Sequence, residues 1–271
     1  MNRRNFLRVV VYSSPVAALA YGFAETGAVR VERHDVAVPK LPTSFDGLTV
    51  AFLADIHHGP YVPLGQVHAF VRTTLALQPD LILLGGDYSL RDGKFIRPCF
   101  EALASLKAPL GVFGVLGNHD HWHGLEATKS EMARAGIEEL SNRAVWLRRG
   151  NDRLRLAGVD DLWQGRPDVG AALADTKPTE ACVLLSHNPD VAETMTDRRV
   201  GLMLSGHTHG GQVIVRGMTN PFVPSRYGNK YAHGFVDAPT TRVYVSRGLG
   251  VTGVPVRYNC PPELTLLTLR S

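Results

Sequence analysis

The sequence is short of cysteine, of aromatic residues and of net charge, and each shortage excludes a class of protein. Its 271 residues include three cysteines and no CxxC pair, which excludes a disulfide-stapled miniprotein and a thiolate zinc cluster. Aromatic residues make up 8% and hydrophobic residues 44%, the balance of a globular protein rather than of a multispan membrane protein. The formal net charge of +4 is too small to indicate a nucleic acid as partner. What the sequence does have is eleven histidines, and most of them are clustered.

The first twenty-five residues have the layout of an export signal. Arg3 and Arg4 precede a short apolar stretch over residues 9–20, which ends in a candidate cleavage site, Ala18-Leu19-Ala20. The arginine pair followed by Phe-Leu resembles the twin-arginine export signal, which is an address read by a receptor. This resemblance implies the twin-arginine translocase as a partner, and a location in the periplasm or at the outer face of the inner membrane. The alternative is an uncleaved signal anchor, which would associate the chain with the membrane through its N-terminal segment.

One domain is predicted from residue 47 to residue 271, after the signal segment 1–25 and a lead-in over residues 26–46. In this domain short apolar strands alternate with polar loops and helices, which is typical of a layered α/β fold with a buried, largely parallel sheet. Buried strands are predicted over residues 48–54, 81–84, 111–116, 181–185 and 200–204. Helices are predicted over residues 63–78, 97–106 and 125–135, and further strands over residues 145–147, 154–157, 213–215, 242–246 and 264–269.

Each of the five predicted buried strands is followed by polar residues. These clusters are Asp55-Ile56-His57-His58, Gly86-Asp87, Asn118-His119-Asp120, His187-Asn188 and His207-Thr208-His209. Ligands bind at the carboxyl ends of strands in open α/β sheets, so we expect the clusters to converge. Carboxylate and imidazole groups without thiolate suit zinc, iron or manganese. Within Asp55-x-His57 and within His207-x-His209, residues two apart on an extended segment would point to the same side.

The same motifs, in this order, resemble those of the calcineurin-like metallophosphoesterase family over residues 50–212. The run 206–212, Gly-His-Thr-His-Gly-Gly-Gln, is similar to the bacterial phosphodiesterase branch that carries twin-arginine signals. The resemblance implies a four-layer α/β/β/α sandwich of two mixed sheets flanked by helices. It also implies two divalent metal ions, manganese, iron or zinc. One metal would be bound by Asp55, His57, Asp87 and His209, and the other by Asp87, Asn118, His187 and His207, with Asp87 shared.

The activity implied by this resemblance is hydrolysis of phosphate esters, with a phosphodiester as the main substrate class. Two cations about 3.5–4 Å apart would clamp an in-line displacement at phosphorus and lower the pKa of a bridging water, so that hydroxide is the nucleophile. In the family's pattern His119 would protonate the leaving group, and Asp120 would orient the imidazole of His119.

The sequence leaves the substrate open among envelope phosphodiesters, nucleotides and a lipid-linked pyrophosphate such as UDP-2,3-diacylglucosamine. The Pro-rich segment 220–224 carries apolar side chains that either pack on the core or face a lipid, which favours an envelope or lipid-linked substrate. A non-catalytic, metal-stabilised envelope-binding protein is a second hypothesis, but such a protein needs no leaving-group acid. A mononuclear zinc peptidase is disfavoured because the sequence has no HExxH motif.

Overall fold

The computed structural model describes residues 15–215, 220 and 222–271, so the predicted export pair Arg3-Arg4 lies outside the described residues. The strands, in chain order, are β1 (Arg30–Ala37), β2 (Thr49–Leu53), β3 (Leu81–Leu84), β4 (Val112–Gly114), β5 (Glu138–Glu139), β6 (Arg143–Arg149), β7 (Asp152–Gly158), β8 (Cys182–Leu185), β9 (Leu202–Ser205), β10 (Gly234–Asp237), β11 (Arg242–Val245) and β12 (Glu263–Arg270). The α-helices are α1 (Pro15–Glu25), α2 (Leu64–Ala76), α3 (Ile96–Leu103), α4 (Asn118–Arg134), α5 (Val169–Ala172) and α6 (Val191–Thr194).

The strands form two mixed six-stranded sheets. The first sheet has the order β1-β12-β2-β3-β4-β5, in which only the β12-β2 pair is antiparallel. The second sheet has the order β10-β11-β9-β8-β7-β6, in which the two outer pairs are antiparallel and the inner pairs are parallel. In each sheet the strands that precede the polar clusters are therefore neighbours that run in the same direction.

Both faces of each sheet are buried, which explains why the central strands are apolar without interruption. In β2, Val50 and Phe52 belong to the core between the sheets, whereas Ala51 and Leu53 pack under the helices of the first sheet. That outer core includes side chains of α2, α3 and α4. On the far face of the second sheet, α5 and α6 cover a third cluster that includes Met203 of β9. The architecture is the four-layer α/β/β/α sandwich that the family resemblance implied.

Three segments differ from their sequence-based prediction. The lead-in over residues 26–46 contains β1, an edge strand that is mostly polar and therefore gave a weak strand signal. Residues 213–215 form no strand, and only an isolated bridge joins Val213 to Tyr258. Helix α4 begins at Asn118, seven residues before the predicted start, because Gly124 breaks its regular backbone with a φ of 144° and masks the periodicity.

The described part of the signal segment packs on the domain through α1. The carbonyl oxygen of Gly22 accepts a hydrogen bond from the backbone N–H of Arg257, at 3.1 Å. The Glu25 carboxylate accepts one from the backbone N–H of Cys260, at 3.2 Å. Within the described ranges, no helix has both the length and the apolar character needed to cross a bilayer. Residues 22–25 are thus held against the loop that leads into β12.

Candidate metal centre

The seven predicted ligands meet where the carboxyl ends of the two sheets face each other. Asp55 and His57 follow β2, Asp87 follows β3, and Asn118 begins the helix after β4. The second sheet contributes His187 after β8, and His207 and His209 after β9. All seven side chains are buried. The centre therefore draws on both sheets.

Tight turns, rather than extended backbone, aim these side chains. Five of the seven residues have a positive φ: Asp55 (53°), His57 (50°), Asp87 (58°), His207 (69°) and His209 (53°). A residue with a side chain rarely adopts this left-handed conformation, which costs roughly 1–3 kcal/mol and is typical of functional sites. The sequence argument assumed an extended segment for the pairs two residues apart. The side chains still converge, but through consecutive left-handed turns that the spacing does not reveal.

The first group of ligand atoms belongs to Asp55, His57 and His209. His57 Nε2 lies 3.0 Å from His209 Nε2, and His209 Nε2 lies 3.5 Å from Asp55 Oδ1. Asp55 Oδ1 is 4.0 Å from His57 Nε2. Ligands that bind one ion at about 2.0–2.2 Å lie roughly 3–4 Å from one another, so these three atoms fit a single cation.

The second group shares Asp87 with the first. Asp87 Oδ2 lies 3.3 Å from His187 Nε2 and 3.5 Å from His57 Nε2, so one carboxylate oxygen faces both groups. His207 Nδ1 lies 3.2 Å from His187 Nε2. The buried Oδ1 of Asn118 has no hydrogen-bond partner among the described residues, although buried acceptors are normally paired. A divalent cation bound by the neighbouring carboxylate and imidazole groups would be the missing partner of this amide oxygen.

Surrounding groups fix the orientation of the ligands. The Nδ1 of His187 lies 2.8 Å from the carbonyl oxygen of Gly85, so it carries the hydrogen and leaves Nε2 free to bind a metal. Both oxygens of Asp55 accept hydrogen bonds from the backbone N–H of His207, at 3.0 Å each. At Gly117 a side chain is excluded, because its Cβ would lie 2.7 Å from Cε1 of His187. The loops thus hold the ligands in place before any cation binds.

In the metal-free protein, burial and neighbouring charges shift the pKa values of the candidate ligands. Burial lowers the pKa of His57 and of His207 to about 3 each, so both imidazoles are neutral, as metal ligands must be. Burial raises the pKa of Asp55 to about 7. Burial also acts to lower the pKa of His187, but the Asp87 carboxylate outweighs it and raises that pKa well above its usual value. In the metal-free protein the protonated His187 ring therefore balances part of the negative charge that bound cations would otherwise balance.

His119 lies beside the cluster and is partly exposed, as a group that contacts substrate must be. Its ring centroid is 4.8 Å from that of His57, and its backbone N–H donates to Asp87 Oδ1 at 2.9 Å. The predicted partner of this ring, Asp120, is engaged elsewhere. Its carboxylate accepts hydrogen bonds from the backbone N–H groups of Asp87, Gly117 and Tyr88, at 2.8, 2.8 and 3.0 Å.

His123, rather than Asp120, contacts the ring of His119. His123 Nε2 accepts a hydrogen bond from the backbone N–H of Arg91 at 3.0 Å, so this nitrogen carries a lone pair. The same atom lies 3.2 Å from His119 Nδ1, which must then be the donor. The spacing of four residues on one helix was the available signal for this contact.

Two exposed tryptophans and one buried arginine complete the surroundings. Trp122 makes an edge-to-face contact with His119, and Trp163 makes one with His207, with ring centroids 4.8 and 4.3 Å apart. Arg257 is fully buried, donates to the carbonyl oxygen of Cys260 at 3.0 Å, and lies 3.3 Å from Nδ1 of His209. No pattern in the sequence singled out Trp163 or Arg257, because each is isolated between turn residues.

Known proteins are similar to this chain in sequence and in fold. The model of the calcineurin-like phosphoesterase family matches residues 48–211. The uncharacterized metallophosphoesterase YkuE of Bacillus subtilis is 33% identical over 283 residues, which cover 100% of this chain and 98% of that protein. The phosphodiesterase YaeI of Escherichia coli is 34% identical over 281 residues, with 99% of each chain covered. The Thermus thermophilus sulfate thiohydrolase SoxB has a TM-score of 0.50 at 14% identity, over 85% of this chain and 57% of that one, a likeness of fold alone.

The family match spans the segment that supplies all seven candidate ligands, and the two bacterial relatives align along almost the whole chain. The side chains on which the sequence resemblance rested surround one buried cluster suited to divalent cations. The chain belongs to the calcineurin-like metallophosphoesterase family and is a hydrolase of phosphoric esters.

Proposed function

We propose that this chain is a phosphodiesterase that acts with two divalent cations, manganese, iron or zinc. Asp55, His57, Asp87 and His209 would hold one cation, and Asp87, Asn118, His187 and His207 the other. The observation that carries the proposal is the position of Asp87 Oδ2 between two groups of ligand atoms, 3.5 Å from His57 Nε2 and 3.3 Å from His187 Nε2. When bound, two such cations provide Lewis-acid stabilisation at phosphorus and activate a water molecule as nucleophile.

The chain itself supplies the leaving-group acid. His119 is fixed at its backbone by Asp87 and at its ring by His123, so the remaining ring nitrogen, Nε2, is available to the departing oxygen. Burial lowers the pKa of His119, and the Asp87 carboxylate opposes that change. An anionic phosphate bound nearby would further favour the protonated ring. A positioned acid of this kind contributes about 10²–10⁴-fold to the rate.

Hydrolysis of bis(p-nitrophenyl) phosphate by the purified protein with Mn²⁺ tests the proposal. We expect turnover by the wild-type protein, and loss of both bound metal and turnover in Asp87→Asn. Asp152→Asn, a substitution at the start of β7 away from the centre, is the matched control and should retain both. A wild-type protein that binds two metal ions but cleaves no phosphodiester, monoester or pyrophosphate would contradict the proposal and favour the envelope-binding alternative.

A pyrophosphate hydrolase acting on a lipid-linked UDP-sugar is the second candidate function. It is favoured by the segment 220–224, where Val223 is buried but Phe222 is 69% exposed. Phe222 thus presents an apolar ring outward. Release of UMP from UDP-2,3-diacylglucosamine, compared with release of p-nitrophenol from the diester, distinguishes the two substrates.

The protein is also proposed to act outside the cytoplasm, in the periplasm or at the outer face of the inner membrane. The layout of residues 1–25 supports this, with the twin-arginine translocase as the partner for export. Replacing Arg3 and Arg4 by lysine should retain the protein in the cytoplasmic fraction. Unchanged export of that variant would contradict the twin-arginine route.

A further inference from the structure

A cavity of about 490 Å³ lies beside the candidate metal centre. Its walls include Thr208 and His209 of the loop after β9, Val254 and Val256 of the segment before β12, and Phe222. The lining atoms are almost all apolar. Val254 is 67% exposed and Phe222 is 69% exposed, so the cavity is open to the surface. Its size lies within the roughly 300–1,000 Å³ that is usual for small-molecule sites.

We propose that this cavity binds the hydrocarbon chain of an amphiphilic phosphate ester whose phosphate group lies at the metal centre. The proposal rests on the phosphodiesterase function above, and it names the substrate class. Three features of the described residues carry it: the bonding of the polar side chains in the wall, the place of His209, and the apolar surface at the opening.

The side-chain N–H and O–H groups of Gln212 and Thr208 in the wall are already bonded within the protein, which leaves few donors for a polar ligand. The Gln212 amide donates to the carbonyl oxygens of Thr252 and Val254, at 3.0 and 3.1 Å, and accepts from the backbone N–H of Thr252 at 2.8 Å. The Thr208 hydroxyl donates to the carbonyl oxygen of Ala232 at 2.8 Å. A nucleobase or sugar buried here would leave some of its own acceptor atoms unpaired, which costs about 1–3 kcal/mol for each atom. A hydrocarbon chain carries no such cost.

His209 connects the cavity with the metal centre. Its Nε2 faces His57 and Asp55 in the first ligand group, and the same residue forms part of the cavity wall. A phosphate held by the centre would therefore lie one side chain away from the cavity. A chain esterified to that phosphate could enter the cavity directly, without crossing a polar layer of the protein.

The surface around the opening suits a substrate that is presented from a lipid phase. Phe222 and Val254 present exposed apolar side chains at this opening. Helix α1 packs on the cavity wall through Gly22, whose position approaches Val256 closely. Exposed apolar surface beside a ligand site is typical of proteins that take substrates from a lipid phase.

A series of p-nitrophenyl alkyl phosphates tests the proposal, because only the alkyl group changes while the leaving group stays constant. Methyl, butyl, hexyl and octyl esters are assayed with Mn²⁺ and the full chain, below their critical micelle concentrations. We expect kcat/KM to rise about fourfold per added methylene until the cavity is filled, the fold-change that corresponds to ~0.8 kcal/mol per buried CH₂. A flat profile with the methyl ester still cleaved would overturn this proposal but leave the phosphodiesterase function standing. If none of the esters is cleaved, the phosphodiesterase function itself is overturned.

Two variants and a matched control locate the effect. Val254→Ser should flatten the rise with chain length, and Val254→Trp should make it stop at a shorter chain because the larger side chain fills the cavity. Val215→Ser changes an exposed valine that does not line the cavity and should retain the wild-type slope. Equal slopes in the wild-type protein and the three variants would show that the alkyl chain of the substrate binds outside the cavity, and would contradict the proposal.

A binding measurement without catalysis provides an independent readout. In the metal-free protein, 1-decanol should displace the fluorescent apolar probe 1-anilinonaphthalene-8-sulfonate. Val254→Trp should weaken this displacement by at least tenfold, whereas Val215→Ser should leave it unchanged. Displacement that is the same in Val254→Trp and in the wild-type protein would show that hydrocarbon binds outside the cavity.

Discussion

His123 is the residue whose role follows most directly from a single pair of contacts. Its Nε2 accepts from the backbone of Arg91 and faces Nδ1 of His119, which holds the His119 ring with Nε2 free. Loss of this contact should affect some substrates more than others. An alkoxide leaving group needs a proton from His119, whereas p-nitrophenolate is stable enough to depart without one. Neither of these two bonds joins His123 to a candidate metal ligand. A substitution of His123 should therefore change the orientation of His119 without removing a metal ligand.

We expect His123→Ala to lower kcat for a phosphodiester with an alkyl leaving group by about tenfold or more, within the 10²–10⁴-fold that a general acid contributes. Its effect on bis(p-nitrophenyl) phosphate should be much smaller. His123→Gln retains an acceptor for the His119 ring and should restore part of the loss. Equal loss with both leaving groups would show that His123 acts on the structure of the site rather than on the acid.

Asp120 has a structural role that its place beside His119 in the sequence concealed. An amide at this position replaces one acceptor oxygen by a donor, which would leave at least one of the three backbone N–H groups unpaired. Asp120→Asn should therefore lower the free energy of unfolding by about 1–3 kcal/mol, even in metal-free protein. The control is Asp35→Asn on the exposed edge strand, for which we expect a change within about 0.5 kcal/mol. Full stability with reduced turnover would instead return Asp120 to the role of orienting His119.

The convergence of the seven candidate ligands could be predicted because their residue types and order are distinctive, whereas their backbone geometry could not. Asp55 and His57 would be equally spaced along the chain in an extended segment or in a left-handed turn. The conformation that forms depends on hydrogen bonds from residues far away in the sequence, such as the bond from the backbone N–H of His207 to the Asp55 carboxylate. The same holds for His123, whose lone pair is defined by the backbone of Arg91, thirty-two residues away.

At the scale of elements, the buried strands were predictable because both of their faces are apolar. β2, β3, β8 and β9 lie close to their predicted ranges for that reason. β1 was not predicted, since this edge strand is largely exposed and its residues are mostly polar, without the regular alternation that indicates a strand. Helix α1 was set aside as a signal, yet its last residues pack on the loop before β12. A short segment can serve as an address and still contact the folded domain.

Gly22 and Gly65 form a matched pair that tests the packing of α1. A Cβ at Gly22 would lie 2.5 Å from Val256 Cγ1, whereas a Cβ at Gly65 in α2 meets no atom within 4 Å. Alanine is favoured over glycine in a helix by roughly 0.5–1 kcal/mol, so Gly65→Ala should stabilise the protein by up to that amount. Gly22→Ala should instead loosen α1 and speed chymotrypsin cleavage at Tyr21 and Phe23. Similar cleavage rates in both variants would show that α1 does not pack as described.

At the scale of the whole molecule, the metal centre joins the two sheets. The first sheet contributes Asp55, His57, Asp87 and Asn118, and the second contributes His187, His207 and His209. Single polar contacts also join the sheets elsewhere, such as the one from the Tyr244 hydroxyl of β11 to Glu263 of β12 at 2.7 Å, but the centre gathers seven polar side chains from both. Cations bound there would stabilise the relative position of the sheets as well as the reaction.

Removal of the metal ions should therefore lower the stability of the entire fold. With one site at a free Mn²⁺ concentration of 100 times its Kd, binding stabilises the folded state by about 2.7 kcal/mol. At roughly 2–4 °C per kcal/mol for a chain of this size, the Tm should fall by about 5–11 °C when a chelator removes that ion, and further when both sites are emptied. Calorimetry with and without chelator measures the shift. Asp87→Asn, which alters the shared ligand, should show a much smaller response to Mn²⁺, and a wild-type Tm indifferent to metal would contradict a centre built across the two sheets.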